Sequence, residues 1–371
     1  MKAMGIIFSN IYDSSLGELT NQRTVASLPF GGRYRQVDFV LSNFSNSGIY
    51  NVGIITKYNY RSLMDHLGSC VDWDMNRKNE GVVFLPPFAS GNTGVYKGKL
   101  EALYSAVHFI DNPHYDYVVI CDSTVLCNMN FRPAIRQHIK SGCDVTVIAN
   151  KLSEKVKKKH PLILKTNQKN RVTEMMLDTT VRPGSFVGMG MFIISRALLV
   201  EALEESYSKG LVHLERDYLL RKFNEKALKI AVYPFDDVVL RNEDVRSYYA
   251  NNMELLKENV RKSLFKKEFP IYTKVRDEAP TYYGAGSSIS DCLTADGCMM
   301  RGKAERSIFF RGVCLEEGAE VRDSIVMQGA KIGKGARLEC VILDKNVTVT
   351  DGAKLKGTPE HPVIIQKGEI V

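Results

Sequence analysis

The chain has eight cysteines and pairs none of them as CxxC. They stand apart at Cys70, Cys121, Cys127, Cys143, Cys292, Cys298, Cys314 and Cys340. No CxxC…HxxxH spacing accompanies them, so a zinc site of familiar spacing is excluded. Scattered thiols of this kind suit the reduced interior of a cytoplasmic protein better than a disulfide framework. No apolar run approaches the roughly 20 residues that span a bilayer, so no membrane partner is expected. The N-terminus, MKAMGIIFSN, lacks a full apolar signal core and a small-residue cleavage site. It reads as a buried first strand. The net charge is +8, yet no aromatic-interleaved basic stripe and no helix-turn-helix pattern goes with it. Nucleic acid is therefore not an expected partner, and phosphorylated metabolites account for the excess charge equally well. The densest basic run, KVKKKH at residues 155–160, reads as a solvated loop.

What is present is a soluble, two-domain composition. A chain of 371 residues exceeds one ordinary core, and 44% hydrophobic with 25% charged residues is typical of globular proteins. Strand-like and helix-like segments alternate through residues 1–262, the pattern of a mostly parallel α/β sheet. Strands are expected at residues 5–8, 52–56, 117–121, 144–149, 191–195 and 228–233. Helices are expected at 99–110, 196–206 and 247–259. Asp122 follows the apolar run YVVIC, at the carboxyl end of a central strand, where open α/β sheets bind ligands. As a cap or turn residue it would need no such role.

Residues 263–283 carry Pro270 and Pro280 without a clear period and read as a linker. From residue 284 to 371 aliphatic residues recur in sixes: Ile308, Val313, Val321, Ile325, Ile332, Leu338, Ile342, Val347 and Leu355. Such hexads form the flat faces of a parallel β-helix, whose open ends favour association with partners. An acyltransferase of this construction usually sets a histidine between coils. His361 is the only histidine here and lies in a terminal Thr-Pro-Glu-His-Pro turn. The repeats are therefore read as architectural.

Residues 20–57, TNQRTVASLPFGGRYRQVDFVLSNFSNSGIYNVGIITK, closely resemble the N-terminal block of the ADP-glucose pyrophosphorylases, or glucose-1-phosphate adenylyltransferases. The resemblance covers nearly the whole chain. It implies a Rossmann-like, GT-A-type nucleotidyltransferase domain followed by a left-handed β-helix. That family joins a sugar phosphate to the α-phosphate of ATP, with Mg²⁺ held by carboxylates. Such chemistry depends on positioning and charge neutralisation.

Position by position, the framework matches this family and the chemistry does not. The phosphate-contacting lysine is replaced by Val25. The glycine-rich loop A-G-G-x-G-x-R-L corresponds to Ser9-Asn10-Ile11-Tyr12-Asp13-Ser14-Ser15-Leu16. Asp13 there would repel phosphate, by ~4 kcal/mol for two unit charges about 4 Å apart at a dielectric of 20, and Ser15 replaces the arginine. The base motif G-T-A-D-A has become Gly98-Lys99-Leu100-Glu101-Ala102. The metal aspartate persists as Asp122, but Asp178 stands where a lysine should hold the sugar phosphate. Ser247-Tyr248-Tyr249-Ala250-Asn251 anchors an alignment that puts Arg241 in place of the second metal carboxylate. A lone aspartate is a poor magnesium site.

Arg23, Arg33 and Arg35 persist, in a segment that this family uses for a phosphorylated effector. Arginine forks suit phosphate. The plainer reading is that they pair with carboxylates such as Asp38 or support a subunit contact. The resemblance thus implies a GlgD-type, catalytically deficient paralogue that binds neither metal nor cofactor itself. It would assemble with a catalytic homologue that uses Mg²⁺, as a heterotetramer. The alternatives are an active enzyme rebuilt around Asp122 and a stand-alone sensor of sugar phosphates or nucleotide sugars.

Overall fold

The computed structural model describes residues 2–10, 13–87, 96–151, 161–177 and 184–371. Asp178, residues 155–160 and the side chain of Asp13 lie outside them. Two compact units emerge. The first comprises Met1–Ile11, Val40–Tyr60 and Gly68–Val239. The second comprises Tyr12–Phe39, Arg61–Leu67 and Leu240–Val371, so it takes in stretches that lie before residue 262. Among the described residues no helix is long and apolar enough to cross a membrane.

The first unit is built on a sheet with nine strands among its described residues. Ala3–Phe8 is flanked in parallel by Val52–Ile55 and Tyr117–Asp122, and Val82–Leu85 extends the sheet beyond Val52–Ile55. On the other side the long strand Phe186–Ser195 runs antiparallel to both Tyr117–Asp122 and Val145–Lys151. The central strands are apolar on both faces because helices cover both, as parallel sheets require. Met4, Ile6, Phe8, Val118 and Ile120 pack with Leu100, Leu103, Leu199 and Leu203 in one buried cluster. The helix expected over residues 99–110 is two, Lys99–Ser105 and Val107–Ile110, broken where Ala106 leaves helical geometry. Phe186–Ser195 begins five residues earlier than its apolar run suggests. Gly188 and Gly190 interrupt that run, and a register shift there marks a bulge.

The second unit contains three parallel five-stranded sheets among its described residues, the faces of a β-helix. An early coil steps by 15 residues, as Ser288 to Lys303 and Met299 to Cys314, and from Lys303 to Lys354 the register keeps a regular period. Lys303, Glu320, Arg337 and Lys354 pair in succession, and Ser324 N–H donates to Ser307 Oγ as Val341 N–H does to Ser324 Oγ, each a step of 17 residues. Three hexads would give eighteen. The missing residue is at one tight corner, where Arg306, Asp323 and Cys340 adopt left-handed backbone with φ of 43°, 46° and 53°. Val313, Val321, Ile332, Leu338 and Val347 fill the interior as the hexads imply. Ile308, Ile325 and Ile342 are buried outside that interior, because strand alternation turns Phe309, Val326 and Leu343 inward instead. The early segment of this unit is held by aromatic packing, with Tyr34 stacked on Phe265 at 5.0 Å, and by the Tyr248 hydroxyl donating to Pro29 O at 2.6 Å.

Candidate functional site

Two constellations stand out, one in each unit. In the first unit, Asp122 ends its strand beside Phe8 in register and is 4% exposed. Lys99 opens the helix Lys99–Ser105, and its Nζ donates to Asp122 Oδ2 at 3.1 Å and to Glu215 Oε1. The same ammonium lies 5.7 Å from the ring centroids of both Phe8 and Phe192. Glu215 is carried on the wide π-helical turn Leu214–Leu220, and Leu100 N–H donates to Val212 O at 3.0 Å, fastening the two segments together. Gly190 closes the site from behind. Its φ is +66°, and a Cβ there would lie 2.2 Å from Asp122 Oδ2.

Among the described residues of the segment that corresponds to the resembled family's nucleotide loop, Asn10 stands where that family has a glycine. Asn10 Oδ1 accepts from Lys57 N–H at 3.1 Å and from the Ser9 hydroxyl at 2.7 Å, while Asn10 Nδ2 donates to Tyr58 O. An amide thus ties together the backbone that glycine would leave open. A magnesium ion does not fit at Asp122 either. Mg²⁺ needs near-octahedral oxygen ligands, and here the carboxylate already faces an ammonium wedged between two phenyl rings. No group of three or more His, Cys, Asp or Glu side chains among the described residues could hold a metal ion. Glu215 and Lys99 were not singled out by the motif comparison as partners of Asp122. They are 116 residues apart, and only the fold brings them together.

Three more of the degenerate positions fall in the second unit. Val25 is fully buried, Ser15 half-buried, and Arg241 half-buried with its carbonyl accepting from Asn251 Nδ2 at 2.8 Å. This unit also holds the second constellation, a cavity walled by Arg33, Arg35, Lys274, Arg276, Arg311 and Lys345, with His66 beside them. The nearby carboxylates are engaged elsewhere. Asp38 accepts from Arg35 N–H at 2.9 Å and faces His66 Nε2 at 2.6 Å. Asp344 receives both arms of the Arg23 fork, at 2.8 and 2.6 Å.

The cations of this wall strain against one another. Burial, reinforced by the Arg35 and Arg23 charges against the pull of Asp344, pushes the Lys345 ammonium down to about 7. Burial likewise outweighs Asp38 and brings Arg35 down to about 10, with Arg23 and Arg276 adding repulsion. Arg311 is lowered by burial and then by Arg33 and Arg276, and its buried Nε has no hydrogen-bond partner. Burial also lowers His66 in spite of Asp38. Asp38 and Asp65 pull on Arg35, Asp296 and Glu278 on Arg311 and Asp344 on Lys345, yet burial and mutual repulsion outweigh them, so a concave wall of crowded cations is an anion site in chemical terms.

Of the three arginines expected to meet an effector, Arg33 and Arg35 line the cavity. Arg23 does not. It is 3% exposed, and its fork is consumed by Asp344, so it supports the wall from behind. Arg35 also donates to Ser62 O at 2.6 Å. Lys274, Arg276, Arg311, Lys345 and His66 escaped the sequence reading. One signal could have found two of them: Arg311, Gln328 and Lys345 share one coil position at the 17-residue step.

Comparison with known proteins agrees with both units. The Nucleotidyl transferase family model matches residues 5–227, and the GlmU-like, C-terminal hexapeptide model matches residues 279–361. The glycogen biosynthesis protein GlgD of Geobacillus stearothermophilus is 36% identical over 100% of this chain and 97% of its own length. GlgD of Bacillus subtilis (strain 168) is 32% identical over 98% of this chain and 96% of its own. A glucose-1-phosphate adenylyltransferase of Bacillus thuringiensis (strain Al Hakam) is 30% identical with the same coverage, 98% and 96%.

Proposed function

The chain belongs to the nucleotidyltransferase family of GlgD glycogen biosynthesis proteins and glucose-1-phosphate adenylyltransferases, and on that premise we propose that it is a regulatory, catalytically deficient subunit. Its partner is a catalytic homologue that converts ATP and glucose 1-phosphate to ADP-glucose and diphosphate with Mg²⁺, and the two assemble as a hetero-oligomer, a heterotetramer in the simplest case. The observation that carries this reading is the cation-walled cavity of Arg33, Arg35, Lys274, Arg276, Arg311 and Lys345. It offers cations to a phosphorylated metabolite in a chain where Asn10, at a position the resembled family gives to glycine, holds the backbone of Lys57 and Tyr58. An effector bound there shifts the assembly only by its differential affinity for the active and inactive states.

The test is ATP- and glucose-1-phosphate-dependent diphosphate release with Mg²⁺, by this chain alone and mixed with a catalytic homologue from the same cell. No turnover alone, with a changed rate or effector response in the mixture, supports the proposal. Robust turnover by the chain alone overturns it. A chain that ignores the homologue yet binds a sugar phosphate would instead be a stand-alone sensor, a role the self-contained cavity would also serve.

A further inference from the structure

The Asp122 site holds a cation of its own. Lys99 Nζ is bound by Asp122 Oδ2 at 3.1 Å and by Glu215 Oε1, between the rings of Phe8 and Phe192, each 5.7 Å away. Its side chain is 10% exposed, and those of Asp122 and Glu215 are 5% and 22% exposed. Two carboxylates and two aromatic faces form a cage suited to an ammonium. Carboxylates alone would suit any cation, but phenyl faces attract an ammonium that the chain has already desolvated and give no oxygen ligand to a metal ion that needs a full oxygen shell.

We propose that Lys99 is a tethered cation that holds the Asp122–Glu215 carboxylate pair permanently in place of a divalent metal ion. Without a cation, Asp122 would be a buried carboxylate opposite Glu215, a costly arrangement. Supplying the charge from the first turn of the helix Lys99–Ser105 gives each acid one charge-assisted hydrogen bond at any metal concentration. The backbone fixes the donor. Gly98 precedes Lys99 and has no room for a side chain, since a Cβ would lie 2.4 Å from Val212 O. The segment that supplies that carbonyl leads directly into the Glu215 turn, so Lys99 and Glu215 are positioned by one contact. The first unit is therefore built in a cation-loaded state that magnesium neither creates nor removes.

The experiment titrates the full chain with MnCl₂, following free Mn²⁺ by electron paramagnetic resonance and the melting temperature by circular dichroism. The wild-type chain is expected to bind no stoichiometric Mn²⁺ and to melt at the same temperature with and without it. Lys99→Ala is expected to melt lower, to bind Mn²⁺ at least tenfold more tightly than wild type, and to regain part of the lost melting temperature when Mn²⁺ is added. Asp122→Asn in the Lys99→Ala background should abolish that recovery. Should Lys99→Ala not fold, the charge-neutral Lys99→Met, Asp122→Asn, Glu215→Gln triple variant is expected to fold and to ignore Mn²⁺. Stoichiometric Mn²⁺ binding by the wild-type chain that Asp122→Asn removes would overturn the proposal. So would a Lys99→Ala chain that melts as wild type does.

Discussion

Breaking the Arg23–Asp344 pair separates a structural arginine from a ligand-binding one. The two side chains are 4% and 3% exposed, and both guanidinium–carboxylate contacts are short, at 2.8 and 2.6 Å. Asp344 Oδ1 also accepts from Lys345 N–H at 2.6 Å, so the carboxylate has little freedom to turn towards water. Removing one partner of a buried pair leaves an uncompensated charge and costs about 3–5 kcal/mol. At about 2–4 °C per kcal/mol for a body of this size, Arg23→Ala is expected to lower the melting temperature by roughly 6–20 °C. Replacing both residues with apolar side chains, as in Arg23→Met with Asp344→Leu, removes the stranded charge. The double variant should be more stable than the sum of the single losses by about 2 kcal/mol or more. Arg33→Ala is the control, because its side chain is exposed on the cavity wall and its loss should change stability by no more than about 0.5 kcal/mol. Thermal unfolding by circular dichroism gives the stabilities, and calorimetric titration with inorganic phosphate gives the binding. The reasoning fails if Arg23→Ala melts within about 2 °C of wild type while phosphate binding disappears. Arg23 would then be a ligand contact, as its place in the sequence suggests.

Three further outcomes follow, two from Lys345 and one from the Asp122 cage. Lys345 has its folded value near 7 against an ordinary 10.5, so the folded chain sheds this proton first as pH rises. The unfolded chain binds more protons between those values, and stability without ligand should climb from pH 7 towards pH 10. Subtracting the profile of Lys345→Met isolates this contribution from other groups. Phosphate binding must restore the proton, so its affinity should fall by up to about tenfold per pH unit above pH 7. A flat difference profile would refute both statements. Gly190→Ala places a Cβ 2.2 Å from Asp122 Oδ2 at a φ of +66°, and neither the backbone nor the caged carboxylate can yield cheaply. The left-handed strain alone costs about 1–2 kcal/mol, so a urea midpoint unchanged in Gly190→Ala would show that the cage is loose.

The parts of the fold that were legible are those where composition and period coincide. The run YVVIC marked a central strand, observed as Tyr117–Asp122, because a strand covered on both faces must be apolar throughout. Strands Val82–Leu85, Leu162–Thr166 and Val172–Leu177 were missed. Val82–Leu85 is a short, half-exposed edge strand, Lys165 breaks the apolar run of Leu162–Thr166, and Glu174 that of the edge strand Val172–Leu177. The helix expected over 247–259 is Val245–Glu254 and Glu258–Leu264. Its start is fixed by the capping box of Asp244 and Ser247, a local signal the apolar pattern did not contain. The site chemistry divides in the same way. Asp122 was legible because its strand end is a property of the sheet, whereas Lys99 and Glu215 meet it only through packing.

The anion cavity turned on a single residue per coil. Hexads read from the sequence imply 18 residues per turn, and counting on from Arg311 at that step gives Gly329 and Val347. Val347 faces the apolar interior, so the column would carry one cation and end in the core. The observed step of 17 gives Gln328 and Lys345, both on the cavity wall. The residue that is lost per coil is the one missing at the left-handed corner of Asp323 and Cys340. Neither residue is a glycine, so nothing in their identity announces the turn. A corner that saves one residue in each coil therefore decides whether a lysine points at phosphate or a valine points at leucine, and this is why the aliphatic faces were readable while the cationic column was not.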